Sequence, residues 1–330
     1  MEFANLKALD SIEVTAVVDN SIELWSNPRR DDVQRFFQWK SIESVNDDVP
    51  LVAGVGLSLW IRMSLNGMES NILLDTGEST IHMSTNLQSL GLPLNELDGI
   101  VLSHGHDDHY GGLRWVLENC HHPVLLYLHP RMIYKKGATM KTKEGERIIE
   151  NRPILPIEEI SKLGGIIISN PNPILLSGGM LLRTGEIPRV TDYEEGRPGH
   201  LMMIDGKWED DSKVLEDVSL VAKVKGRGLV VISGCSHAGI VNIAKEASRL
   251  TGENRIHAII GGFHLAGSEV SKDGGISKLS RTVSDLKLME PSLLVPCHCT
   301  GWRARHEMSV QMKEAYVEGS VGNRYSIKAG

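Results

Sequence analysis

The sequence predicts a folded, loop-rich α/β protein, and three observations carry that reading. Hydrophobic residues make up 41% of the 330 positions and charged residues 23%, an ordinary balance for a chain that buries a sizeable core. The 33 glycines fit many tight turns between short strands. Short apolar runs of strand character alternate with helical patterns, and four of those runs lead into a histidine.

Taken in order, residues 12–18 read as a first strand. Residues 57–65, the pair Asn66-Gly67 and residues 70–74 read as a hairpin, because Asn-Gly suits the tight turn that joins two twisted strands. Between them, residues 25–48 are polar and carry Arg29, Arg30, Asp31 and Asp32, which predicts a surface excursion. Residues 99–102 form a short buried strand and residues 111–117 begin a helix, so a histidine cluster falls on the loop between them. Residues 228–232 then lead to Cys235 and His237, with a helical pattern over 240–245. Residues 256–260 lead to His264, and residues 293–295 lead to His298 after a helix-like segment at 276–289. Strand ends along one sheet edge are where such folds assemble sites, because loops converge there on a rigid scaffold. No fixed-period repeat, low-complexity tract or linker interrupts the chain, so residues 1–330 read as one domain.

Composition narrows the function. A formal charge of -7 and a pI near 6.0 give no general attraction for a polyanion, so nucleic acid is not an expected partner. The first residues run into Asp10 and Glu13 rather than an apolar stretch. Neither a signal peptide nor a membrane span is expected, and a cytoplasmic location is. Cys120, Cys235, Cys297 and Cys299 are too few and too unevenly spaced for a disulfide framework, and each lies near a histidine in the chain.

The segment His104-Gly105-His106-Asp107-Asp108-His109 concentrates ligand-type side chains. His104 and His106, two apart, project from one face of extended backbone and can share an ion. Asp108 and His109 add a hard oxygen and another nitrogen, a mixture suited to Zn(II), Fe(II) or Mn(II). On a regular strand Cys297 and Cys299 would face away from His298, which leaves His298 as the contributor from that segment. His200, after Arg197-Pro198-Gly199, is a candidate for substrate contact. His82, His121, His122, His129, His257 and His306 lack such company and read as structural or solvated.

The run from Ser103 to His109 resembles the HxHxDH signature of the metallo-β-lactamase superfamily, and Asp75-Thr76-Gly77 is similar to the turn whose aspartate orients the metal loop there. Four further segments, beginning at Gly185, Gly234, Gly261 and Pro296, resemble its dihydropteroate-synthase-like branch, over about residue 12 to the end. The resemblance implies an αββα sandwich of mixed β-sheets with helices on both outer faces and a metal cleft at one edge. It also implies a substrate-covering insertion around 131–200. His104 and His106 would belong to one metal site and Asp108 and His109 to the other. Beyond the histidine loop itself, no His-x-x-Gly segment precedes the strand at 229–232, and Cys235 stands where the pattern has aspartate. His237 is then the substitute ligand, His264 the expected final ligand with His298 as its competitor, and Asp75 and Cys235 support the ligands. Zn(II) is expected, as one or two ions.

Those ligands imply a hydrolase using a metal-bound hydroxide on a small-molecule ester, lactone, phosphoester or activated aromatic carbon. Asp108 would orient the water, and His298, where not a ligand, would protonate the leaving group. The alternatives are a pterin-condensing synthase and a non-catalytic metal or ligand-binding protein. Residues 131–152 carry seven Lys and Arg against three Glu. That excess suggests either steering of an anionic substrate or a solvated basic surface.

Overall fold

The computed structural model describes residues 4–26, 30–40, 50–143, 145–268 and 275–330. Among these, two large sheets carry the fold. The first runs, edge to edge, through Ile174–Leu176, Leu181–Arg183, Ser219–Val224, Gly228–Ser233, Ile256–Gly262 and Leu293–Cys297. The second runs through Gly165–Ser169, Val124–Leu128, Gly99–Val101, Met68–Leu74, Ser58–Leu65, Ser11–Val18, Arg324–Lys328 and Val33–Gln34. Both mix parallel and antiparallel pairing. The hairpin Ser58–Leu65/Met68–Leu74 turns at Asn66 and Gly67, both at positive φ (52° and 79°), as its Asn-Gly pair requires.

Three apolar clusters stack as layers. Val14, Ile61, Leu220, Val230, Ile260 and Val295 belong to the cluster between the sheets. Helices Ile240–Thr251, Lys278–Leu288 and Trp302–Gln311 cover the outer face of the first sheet through Val241, Val283 and Met308. Helices Thr80–Leu90 and Leu113–Cys120 cover the second through Met83, Leu87, Val116 and Leu117. Each helix turns one apolar face inward, which is the physical basis of an αββα sandwich.

A third, four-stranded sheet is built from Lys136–Thr142, Gly145–Glu150, His200–Ile204 and Lys207–Asp210. Residues 25–48 are not wholly a surface excursion. Val33 and Phe36 are buried, and Val33–Gln34 forms an edge strand against Arg324–Lys328, although Trp25 is exposed. Residues 27–29 and 41–48 of that stretch, Arg29 included, lie outside the described residues.

The two large sheets meet at Gly234. A Cβ there would overlap the Ser103 hydroxyl and come within 3.0 Å of Asp75 Oδ2, so glycine permits the strand end of one sheet to touch the metal-type loop of the other.

Candidate metal centre

The strand Gly99–Val101 delivers Ser103 and His104, and His106 precedes the one-turn helix Asp107–Tyr110. Asp75, at the end of Met68–Leu74, organises this loop from below. Its Oδ1 accepts the Ser103 N–H at 2.7 Å, and its Oδ2 accepts the Ser103 hydroxyl at 2.7 Å and faces His109 Nδ1 at 2.6 Å. The Ser103 oxygen also meets His104 Nδ1 at 2.9 Å. Because the serine donates to Asp75, it accepts from His104, which leaves the Nε2 lone pair of His104 facing the site.

His104 Nε2 lies 2.8 Å from His106 Nδ1, and His237 Nε2 lies 3.2 Å and 3.1 Å from the same two nitrogens. Three neutral nitrogens cannot all satisfy one another with protons at those distances. The spacing is close to that of ligands about 2 Å from one ion. Burial, with help from surrounding imidazoles and Arg197, holds all three pKa values well below the ordinary histidine value, so the lone pairs stay available.

A second group lies beside the first. His109 Nε2 is 3.2 Å from Cys235 Sγ and 3.8 Å from Asp108 Oδ1, and Asp108 Oδ2 is 3.3 Å from His298 Nε2. The donor atoms of His109, Cys235 and His298 fall within 4.8 Å of one another, as do those of His104, Cys235 and His237. Cys235 therefore sits between the two groups. Burial opposes charge on His109, yet Asp108 and Asp75 raise its pKa to about 9. Burial likewise opposes ionisation of Asp108, but His109 and His298 hold its carboxyl far below the usual carboxylate range.

His298 reaches this position because its backbone leaves the strand at φ 46°. Asp19 Oδ1 accepts its N–H at 2.9 Å, and Asn20 Oδ1 faces its Nδ1 at 3.2 Å. His264 is placed differently. Its ring lies tilted against that of His237 at 4.3 Å between centroids, it is partly exposed, and among the described residues it joins neither donor group. The cleft thus brings together His104, His106, Asp108, His109, His237 and His298, with Cys235 among them and Asp75 beneath. His264 stands at the margin.

Sequence reasoning missed Ser103, Asp19, Asn20 and Arg197, whose Nη1 lies 3.0 Å from His106 Nε2. Ser103 directly precedes the histidine run and was legible by position; Asp19 and Asn20 are 278 or more residues from His298 and carried no signal. His200 is not free for substrate: its side chain is 1% exposed and its ring lies against His106 and Asp211. The basic stretch 131–152 is largely paired. Lys136 is buried between Asp211 and Glu216, Arg131 meets Asp211, Lys135 meets Glu150, and Arg152 meets Asp107 and Glu78.

The donor set fits a borderline divalent ion, because the three imidazole nitrogens converge with lone pairs inward beside a thiol and an ionised carboxylate. Two facing sheets with helices outside and a histidine-rich edge define the class of the αββα metalloproteins. Residues 52–298 match the family model of the metallo-beta-lactamase superfamily, and the chain belongs to that superfamily. It is 30% identical over 273 residues to the 7,8-dihydropterin-6-methyl-4-(beta-D-ribofuranosyl)-aminobenzene-5'-phosphate synthase of Methanocaldococcus jannaschii, covering 81% of this chain and 88% of that protein. An uncharacterized protein of the same archaeon is 33% identical over 259 residues, 78% of this chain and 88% of the relative. Among solved structures, Tm1679, described as a metal-dependent hydrolase of the beta-lactamase superfamily, superposes with a TM-score of 0.68 at 22% identity, over 96% of this chain and 99% of that one. That likeness shows the shared fold.

Proposed function

We propose that this chain is a metal-dependent hydrolase of a small-molecule ester, lactone or phosphoester. The observation that carries the proposal is the convergence of His104 Nε2, His106 Nδ1 and His237 Nε2 within 3.2 Å, beside a second group that includes an anionic carboxylate. His104, His106 and His237 would hold one ion, and Asp108, His109 and His298 a second, with Cys235 between them. Zinc suits these ligands best, with iron or manganese as alternatives. A bound ion would supply Lewis acidity and make water acidic enough to ionise near pH 7.

The chain's own residues do the rest. Asp108 stays ionised and would accept a hydrogen bond from the attacking water. His109, backed by Asp75, is held in one orientation, and the same holds for His298, backed by Asn20. We assign His298 to metal holding rather than to proton donation, because Asn20 Oδ1 accepts from its Nδ1, which leaves the Nε2 lone pair turned into the cleft. We read the whole chain as one domain and the small third sheet as its insertion.

A second reading is condensation of a pterin with an arylamine, favoured by the 30% identity to the archaeal synthase over most of both chains. Both readings use the same site to activate an oxygen leaving group, and they differ in whether water or an amine attacks. The test is to load purified protein with zinc or iron and offer chromogenic esters, lactones and phosphodiesters beside a pterin and arylamine pair. Metal-dependent hydrolysis supports the first reading, and condensation without hydrolysis supports the second. Metal uptake without turnover of either set overturns both and leaves a binding protein.

A further inference from the structure

The third sheet reaches the centre at one point. His200, the first residue of the strand His200–Ile204, places its Nε2 2.8 Å from His106 Nε2. On the far side of its ring, Nδ1 faces two acceptors, the Asp211 main-chain carbonyl and the Asp211 carboxylate, each at 3.3 Å. Asp211 is itself fixed by Lys136 at 2.6 Å and Arg131 at 2.7 Å, and Lys136 also pairs with Glu216 at 2.6 Å. Every member of this series except Arg131 is at most 4% exposed.

Proton placement follows from the geometry. Two acceptors around Nδ1 of His200 require a proton there. Lys136 and Arg131 balance the carboxylates of Asp211 and Glu216 together, and a ring with its proton on Nδ1 presents a bare Nε2. A bare Nε2 accepts from His106 Nε2, which puts the single proton of His106 on that atom. The lone pair of His106 then lies on Nδ1, the atom that faces His104 and His237.

We infer that His200 and Asp211 form a dyad that sets the tautomer of His106 and so readies its Nδ1 for metal; both are positioning residues supplied by the third sheet. The inference rests on the reading of His106 as a metal ligand. Arg197 competes for the same ring, since its Nη1 lies 3.0 Å from His106 Nε2 and 3.4 Å from His106 Nδ1. A guanidinium only donates, so a bond to Nε2 would drive the proton onto Nδ1, and a bond to Nδ1 would occupy the lone pair that metal must take. Either bond opposes the metal-ready form, which releases Arg197. Gly105 adds a constraint: a Cβ there would lie 3.3 Å from Glu216 Oε1 and 3.4 Å from Lys136 Cε, so the loop rests directly on the ion pairs that anchor the dyad.

The experiment measures metal affinity with cobalt(II) as the probe, by titration against a competing chelator and by the visible ligand-field spectrum. His200→Phe keeps the bulk and removes the acceptor, and affinity should fall about 10- to 100-fold with an altered spectrum. His200→Gln restores an acceptor and should bind within a few-fold of the parent, while Arg197→Ala should cause no loss. Parental affinity in His200→Phe, or an equal loss in Arg197→Ala, overturns the dyad. If His200→Phe does not fold, nitrogen NMR of the zinc-loaded parent decides: a His200 proton on Nδ1 supports the assignment and one on Nε2 alone overturns it. If the parent takes up no cobalt(II) or zinc, the metal reading itself fails, which is distinct from failure of the dyad.

Discussion

The two sheets feed the site in different ways. The second sheet supplies His104, His106, Asp108 and His109 from a single loop, held by one aspartate through Ser103 and His109. The first sheet supplies Cys235, His237 and His298 from two separate strand ends, each turned by a residue at positive φ, Ser236 at 61° and His298 at 46°. A compact loop fixes its donor side chains by local backbone geometry. Scattered strand ends fix theirs only through the tertiary fold, so removal of one should be felt locally. The predictions below test that contrast.

The largest effect is expected where the two contributions meet. His237→Ala removes the one nitrogen that closes the triangle with His104 and His106, and Asp108→Ala and His109→Ala strip the neighbouring group. Each should lower metal content and turnover by orders of magnitude, as chelation should for the parent. Metal analysis of the purified variants beside steady-state rates is the check. Full turnover by rigorously metal-free protein would remove the basis of the contrast as well as the proposed chemistry.

A smaller effect separates the two histidines that sequence order left in competition. Strand order favoured His264, because its strand follows next after the Cys235 loop. Placement favours His298, because the end of Leu293–Cys297 lies against Asp19 and Asn20 at the end of Ser11–Val18, across the seam between the sheets. His298→Ala should therefore weaken metal binding tenfold or more beyond His264→Ala in equilibrium titration. The reverse ranking would mean that the first sheet delivers its last ligand by strand order alone.

That pair also shows how far the sequence could be read. Hairpin, strands and helices were legible from alternation, the Asn-Gly pair and apolar periodicity, and the clustering of His104, His106, Asp108 and His109 from their mutual spacing. Cys235 was read as a support, yet it lies within reach of both donor groups. Nothing local in Pro296-Cys297-His298-Cys299 announces the turn that swings His298 inward, because Asp19, the acceptor of its N–H, lies 279 positions earlier. His200 was read as a substrate contact from its place after Arg197-Pro198-Gly199. Its burial depends on pairing between Lys136–Thr142 and His200–Ile204, which is non-local.

The buried carboxylates behind the two contributions sharpen the contrast through pH. Asp75 has both oxygens engaged, whereas among the described residues Asp217 accepts only the Ala238 N–H, at 2.7 Å, and its Oδ1 meets no partner. Burial, helped by Glu216 and Cys299, raises the Asp217 pKa to about 7. The folded state thus holds this proton more tightly than the unfolded chain, where a carboxyl ionises near 3.9. The resulting stability is fully present below about pH 4 and is lost as pH rises through 7. Asp217→Asn keeps an acceptor without the charge. It should melt higher than the parent at pH 8.5, with the difference closing towards pH 4. An equal difference at both pH values would place the effect in packing instead.

The smallest effect is expected from the basic hairpin, which belongs to neither contribution. Steering of an anion requires unpaired positive charge near the cleft, and most of the charge at 131–152 is already spent: Lys136 and Arg131 on Asp211, Lys135 on Glu150, Arg152 on Asp107. Lys141 is exposed at the outer end of Lys136–Thr142, and Lys143 is exposed just beyond it. Charges held in water and separated from the site by more than about 10 Å are screened at ordinary ionic strength. Replacing Lys141 and Lys143 together by glutamine should leave kcat/KM for an anionic substrate within about twofold, with an unchanged dependence on salt. A drop accompanied by loss of that salt dependence would instead make the hairpin a third contributor, acting through its field where the two sheets act through their ligands.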